Sequence, residues 1–345
     1  LIKKLLAKRP EFRLIITSAT IKHHLFSEFF KSAPVFSVSG RTYPVAVQYL
    51  SQDYWGYHHT DPKTSAVVEA VARIYNLHSQ FKLPEVEEGY TSPQNLIGNR
   101  THTLDTLVFL PGERQIHDAA QALKRAFQDK FDILPLYARL AGADQSKVFN
   151  PGHKIRIVLA TNLAETSITV PRIGFVVDSG LVRTSRYSQR RKVQLLPIES
   201  ISKASAAQRA GRCGRIASGA CIRLYDEDDF ETRQEYPEAE IHRTHLAGVI
   251  LQMKAMRLGE PDSFPFIEPP AQRLINDGYQ LLEELSAVQD KRVTKLGKKM
   301  SRLPVDPRIA RMIMSAGDAL YEVLIIASAL SVMDVIESHR EARDQ

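Results

Sequence analysis

Four short runs built almost wholly from Val, Ile, Leu and Phe constrain this chain more than any other feature: Leu14 to Thr17, Leu107 to Leu110, Ile155 to Ala160 and Phe175 to Asp178. A strand that alternates apolar and polar residues has one wet face. A run that is apolar throughout needs cover on both faces, which is the habit of a parallel sheet sandwiched by helices. Between the second and third runs, Ile116, Ala119, Ala120, Leu123 and Phe127 recur at helical spacing and give one buried stripe to a helix over Gln115 to Phe127. An α/β domain is therefore predicted from about Leu107 to a last strand ending at Tyr225.

Past Tyr236 the pattern turns helical. Helices are predicted over His242 to Met256 and over Arg273 to Leu285, where Leu274, Ile275, Leu281, Leu282 and Leu285 share a face. Pro261 to Pro270, with four prolines, is a break between them, and a short strand follows around Val293. Helix, helix, short strand suits a winged-helix module, although helical bundles share most of that pattern. Pro304 to Leu330 opens another helical region, and polar Glu85 to Thr103 is the expected mobile insertion.

The 345 residues suffice for two or three domains at about 150 residues each. Two cysteines, Cys213 and Cys221, make neither a disulfide framework nor a four-ligand zinc site, which points to a reducing, cytoplasmic setting. No apolar run approaches the roughly 20 residues that span a bilayer, so no membrane partner is expected. The net charge of +7 favours an anionic partner, and its distribution sharpens the point. Arg183, Arg186, Arg190, Arg191 and Lys192 form a stripe without an acid, whereas Asp226 to Asp229 reads as a solvated acidic turn. The stripe suits an exposed two-stranded ribbon beside phosphates, or a solvated charged loop.

The sharpest local signal is the octet Gln208-Arg209-Ala210-Gly211-Arg212-Cys213-Gly214-Arg215. Arginines three apart, with glycines between, suit either a solvated helix start or a set of guanidinium groups aimed together at phosphoryl oxygens. The octet resembles motif VI of superfamily 2 helicases, and other motifs of that group stand in order around it. Ser18-Ala19-Thr20 resembles motif III, Leu107 to Ile116 (LVFLPGERQI) motif IV, and Pro135 to Phe149 the following motif IVa. Ala160 to Thr169 (ATNLAETSIT) is similar to motif V of the DEAH/RHA group, and Gly40 to Val45 to the segment linking its two RecA-like domains. By this resemblance the chain is identified as a member of the DEAH/RHA helicases, of the bacterial HrpA type, across nearly its whole length.

The resemblance implies a layout and a set of roles. Residues 1–40 would end a first RecA-like domain, 41–235 form the second, 236–300 a winged-helix domain and 301–345 the start of a helical, ratchet-like domain. Gln208 would orient the attacking water, and Arg212 and Arg215 would reach the γ-phosphate of ATP held, with Mg2+, on the first domain in cis. Ser18 and Thr20 fall on the nucleotide side, Phe149 where the family stacks an aromatic on adenine, and Thr169 where a side chain approaches the ribose. An acid common two residues beyond that threonine is here Pro171, which puts ribose recognition in doubt. Thr161, Asn162 and Thr166 would contact the backbone of single-stranded or partly duplex RNA, with Arg183 and Arg186 of the stripe and Lys203 beside them. Cys213 stands where relatives carry a small residue and reads as packing. No metal ligands are assigned.

The octet GxxxxGK[ST] is absent, as is an Asp-Glu pair before motif III. The chain also starts without Met inside a helical pattern, so the expectation is a piece cut at its amino end that does not hydrolyse ATP alone. The expected function is an ATP-dependent RNA helicase moving 3′-to-5′, with a ribosome or other RNA–protein complex as a further partner. An RNA-binding scaffold with a decayed ATPase and a DNA helicase of the same superfamily are the alternatives.

Overall fold

The computed structural model describes residues 2–9, 11–18, 21–37, 43–50, 62–75, 104–150, 152–188 and 190–331. Thr20, Gly40 to Thr42 and the stretch Glu85 to Thr103 lie outside them. The chain forms two compact units, residues 1–184 with 198–237, and residues 185–197 with 238–345.

In the first unit, helices α1 (Ile2–Lys8) and α2 (His23–Phe29) precede strand β1 (Val45–Tyr49) and helix α3 (Pro62–Ile74). Then follow β2 (Asp105–Phe109), α4 (Glu113–Phe127), β3 (Asp132–Leu136), α5 (Gly142–Lys147), β4 (Arg156–Ala160), α6 (Leu163–Thr166) and β5 (Ile173–Asp178). A ribbon of β6 (Leu181–Arg183), β7 (Arg186–Ser188), β8 (Val193–Leu195) and β9 (Ile198–Ser200) leads to α7 (Lys203–Ala210), β10 (Gly219–Arg223) and α8 (Glu227–Thr232). Six strands make one sheet in the order β1-β10-β5-β2-β4-β3, every pairing parallel.

Alternate side chains of each strand enter two separate cores. Val108, Ile157, Phe175, Val177 and Ile222 join Val67, Val71, Ile116 and Leu123 from α3 and α4 on one face. Leu107, Phe109, Val158, Val176 and Cys221 join Val148, Ala164, Ala210 and Cys213 on the other. This double cover is what the unbroken apolar runs require, and the buried stripe of α4 is the one its periodicity marks.

The run Leu14 to Thr17 is not a strand. Residues 12–18 have no regular structure and Ile15 is 84% exposed. A strand is held by hydrogen bonds from a neighbour, and no described strand pairs with this one. Conversely β1, read from sequence as part of a linking segment, is an edge strand paired with β10, Ala46 opposite Ala220. Asp226 to Asp229 is no turn either: after Asp226, Glu227, Asp228 and Asp229 form the first turn of α8, where negative charge meets the positive end of the helix dipole.

At the amino-terminal edge of the sheet Asp105, wholly buried on β2, receives Arg156 Nε at 2.9 Å and Nη2 at 2.7 Å. Arg172 approaches the same carboxylate at 3.5 Å.

The second unit contains α9 (Glu240–Arg243), α10 (Ala247–Ala255), α11 (Gln272–Glu284), an antiparallel pair β11 (Val288–Gln289) and β12 (Arg292–Val293), α12 (Lys295–Met300), α13 (Pro307–Met314) and α14 (Leu320–Ser331). The single helix expected over His242 to Met256 is two. Thr244 is extended, and the His245 ring accepts the Ala247 N–H at 3.2 Å, starting α10 afresh. Leu246, Ile250, Leu251, Leu274, Ile275, Leu282 and Met300 form its core. The ribbon tip, Ser185 to Pro197, belongs to this unit, while β6 and β9 at its base belong to the first.

Removing one partner of a buried ion pair leaves an uncompensated charge, at a cost of about 3–5 kcal/mol. Asp105→Ala is expected to lower the unfolding free energy of the chain by that amount, read from urea denaturation.

Candidate nucleotide and nucleic-acid site

The parallel sheet presents two edges to which the loops carry different chemistry. At the carboxyl end of β4 the chain turns at Thr161, whose N–H donates to Leu136 O at 3.2 Å, and exposed Asn162 follows. On the same edge Leu110 N–H donates to Ala160 O, Ser179 N–H to Phe109 O, and the base of the ribbon begins at Leu181. Arg183, the last residue of β6, is exposed and its guanidinium lies against Gly112, where any Cβ would meet it. Short hydroxyl and amide side chains here are free to meet sugar and phosphate oxygens without reading bases.

At the opposite edge stand Phe149 and Thr169. Phe149 is 42% exposed, a large apolar ring offered to solvent. Its neighbour Val148 offers its carbonyl to Arg156 Nη1 at 2.7 Å, and Pro171 O accepts from Arg156 Nη2 at 3.0 Å, so one buried arginine ties the Phe149 segment to the Thr169 segment. Thr169 Oγ1 accepts from Arg215 Nη1 at 3.0 Å.

Between the edges runs the motif V loop, with α6 from Leu163 to Thr166, packed against α7. The octet does not present three arginines on one helical face. α7 ends at Ala210, and Gly211, Arg212 and Cys213 leave it as a turn. Arg209 points inward: its Nε donates to Glu165 Oε2 at 2.9 Å, its Nη1 to Asp178 Oδ1 at 2.8 Å and to Leu181 O at 3.1 Å, and its guanidinium lies 4.9 Å over the Phe109 ring. Burial opposes this charge, yet Asp178 and Glu165 outweigh it and hold the guanidinium above its ordinary range. Spacing alone missed Arg209 as a core residue. The signal available in sequence was Glu165, the one acid in an otherwise neutral ATNLAETSIT segment.

Arg212 and Arg215 stay on the loop side. Arg212 donates from Nη1 to Ile168 O at 3.2 Å and from Nη2 to Glu165 O, while its buried Nε has no partner among the described residues. Burial, which leaves Arg212 8% exposed, lowers its basicity, and Arg215 alongside adds to the effect. Arg215 is exposed, and Gln208 is half-buried on α7. Gly214, between the two arginines, is required by close packing: a Cβ there would sit 2.7 Å from Tyr43 O and from Val45, just where Tyr43 N–H donates to Gly214 O.

The remaining basic candidates have partners. Lys203 pairs with Glu231 at 2.7 Å and lies 5.4 Å over Phe230, and Arg186 in the second unit pairs with Glu238 at 2.7 Å. Ser18 is exposed in the irregular segment. No group of three or more His, Cys, Asp or Glu side chains among the described residues is arranged to hold a metal ion. No single described helix is long and apolar enough to cross a membrane.

Residues 90–217 match the helicase conserved C-terminal domain, 279–305 the winged-helix and 306–345 the ratchet-like part of the helicase-associated domain HA2. The chain is 47% identical over 341 residues to the ATP-dependent RNA helicase HrpA of Escherichia coli (strain K12), covering 96% of this chain and 24% of that protein. It is 38% identical over 342 residues to the probable ATP-dependent RNA helicase DHX34 of Homo sapiens, covering 96% and 28%. The solved Escherichia coli DEAH/RHA helicase HrpB superposes with a TM-score of 0.80 at 27% identity, over 97% of this chain and 40% of that one. This chain belongs to the DEAH/RHA helicase family. It spans about a quarter of the length of the HrpA proteins it matches, and its matched segments are the helicase conserved C-terminal domain and the helicase-associated region.

In this helicase domain both cysteines are packing residues. Cys213 is wholly buried, donates to Ala210 O and has its thiol pushed by burial from 9.0 up to about 12; Cys221 is shifted well upward too. Because the thiolate is the nucleophile, a thiol reagent at pH 8 is expected to label neither until the domain unfolds. A folded-state value above the unfolded one stabilises below pH 9 and loses that contribution as pH rises toward 12. Unfolding midpoints measured across that window should fall, and a Cys213→Ala variant should fall less steeply.

Proposed function

We propose that the full-length protein is an ATP-dependent RNA helicase in which this chain supplies the arginines that complete the nucleotide site and half of the RNA track. The observation that carries the reading is the join between Arg212, Arg215 and the motif V loop. Both guanidinium groups reach the far end of the segment that begins with Thr161 and Asn162. A guanidinium fork held in a partly desolvated setting stabilises charge spreading over a transferring phosphoryl group.

In this scheme a first RecA-like domain in cis holds the phosphates of ATP and the Mg2+ that neutralises them. Arg212 and Arg215 meet the γ-phosphate, Gln208 orients water, and Phe149 stacks on the base with Thr169 near the ribose. Exchange of the Ile168 and Glu165 carbonyls for phosphoryl oxygens gives Arg212 its role. Thr161, Asn162 and Thr166 hold the RNA backbone, with Arg183 at the ribbon base as a further phosphate contact. Lys203 and Arg186 contribute only after leaving Glu231 and Glu238. The finer part of the proposal is 3′-to-5′ travel.

Full-length protein carrying Arg212→Ala should lose RNA-stimulated ATP hydrolysis by about a thousandfold or more, the usual effect of removing an arginine finger. An undiminished rate overturns the assignment. Duplexes with a 3′ overhang should be unwound and those with a 5′ overhang left intact. Ribo-oligonucleotides should outcompete deoxyribo-oligonucleotides, since only RNA offers the 2′-hydroxyl; equal competition would favour a DNA translocase.

A further inference from the structure

The two edges of the sheet are separated by the length of β4, five residues or about 16 Å at roughly 3.3 Å per residue. Arg212, however, donates to the Glu165 and Ile168 carbonyls, so whatever RNA does at Thr161 and Asn162 reaches it through the short segment between them. A single residue lies on both ends of a path through the motif V loop. The Glu165 carboxylate holds Arg209, and the Glu165 carbonyl holds Arg212.

We propose that Glu165 is a positioning residue that couples occupation of the RNA edge to the placement of Arg212. The inference rests on the functional reading above and deepens it. α6 is one turn long, and Glu165 N–H donates to Asn162 O at 3.0 Å while Ala164 N–H donates to Thr161 O at 3.2 Å. The two residues at the RNA edge are thus built into the same turn as Glu165. The carboxylate pins that turn to Arg209, which is immobile because it is buried between Glu165, Asp178 and Leu181 O. A shift of Thr161 and Asn162 rotates α6 about this pin, and the carbonyl that carries Arg212 moves with it. Coupling in this sense is a difference in free energy between two arrangements, and a discrete element that both sites bias is its physical requirement.

The test compares RNA-free with RNA-saturated ATP turnover in the full-length protein. Glu165→Gln keeps the shape of the side chain and an acceptor for Arg209, but removes the charge that fixes the turn. Its RNA-saturated over RNA-free ratio should fall about fivefold or more, within the usual range of coupling between sites, while its dissociation constant for a single-stranded oligoribonucleotide stays within about twofold of wild type. Tyr75→Phe is the control for mere destabilisation. It removes buried hydroxyl bonds to Thr106 and the Leu104 carbonyl, away from α6 and Arg209, so it should lower the melting temperature and leave the ratio intact. Should Glu165→Gln not accumulate as folded protein, Glu165→Asp, which draws the charge back by one methylene, carries the same expectation. An unaltered ratio in the Glu165 variant, or equal loss in both variants, overturns the inference alone. A wild-type protein whose turnover RNA does not raise overturns the functional reading and this inference with it.

Discussion

The buried guanidinium of Arg209 is the point on which the first unit's functional face depends. Three elements that precede it by 44, 31 and 28 residues meet there: Glu165 from α6, Asp178 from the end of β5, and the Leu181 carbonyl at the root of the ribbon. A charge taken out of water is tolerated only when every donor has a partner and the geometry is close. Asp178 meets that demand from its own side, since it also accepts Gly180 N–H at 2.9 Å and Tyr225 OH at 3.3 Å. The cluster therefore fixes register, and the motif V turn, the motif VI turn and the ribbon base have one arrangement in which all of these bonds are made.

A second buried pair does the same at the other edge. Arg156 and Asp105 sit at the start of neighbouring strands, and the spare donors of Arg156 reach the Val148 and Pro171 carbonyls. Phe149 and Thr169 consequently flank a segment held by side chains that solvent does not reach. The loops that carry chemistry are exposed, but the groups that set their positions are in the sheet. This division explains how short connections with little packing of their own can present a defined surface.

Much of the fold was legible because burial on both faces of a sheet leaves a compositional trace. Leu107 to Leu110, Ile155 to Ala160 and Phe175 to Asp178 are strands for that reason, and the α4 stripe follows from its period. The failures are also physical. Leu14 to Thr17 has strand composition, but a strand is a property of a pair, and composition says nothing about whether a partner lies beside it. β1 was hidden since Val45 to Tyr49 is an edge strand whose residues are only partly covered. At the site, spacing located Arg209, Arg212 and Arg215 but not their directions. A helix that stops at Ala210 sends the first into the core and the others to the loop, and where a helix stops is decided by packing around Gly214 and Tyr43 that no local pattern reveals.

Charge was the least informative of the sequence signals, and the structure gives the reason. The basic stripe looked uniform, yet Arg186 is paired with Glu238, and Lys192 lies 3.3 Å from Asp277, acids that arrive from 52 and 85 positions away. Pairs of this exposed kind contribute little to stability, but they change which cations are available to an anionic ligand. Arg190 and Arg191, at the exposed turn of the ribbon, have no carboxylate partner among the described residues. Net charge and local runs count ionised groups, whereas affinity for a polyanion depends on those not already neutralised by the protein itself. On that basis Arg183, Arg190 and Arg191 are the arginines of the stripe that no carboxylate among the described residues neutralises.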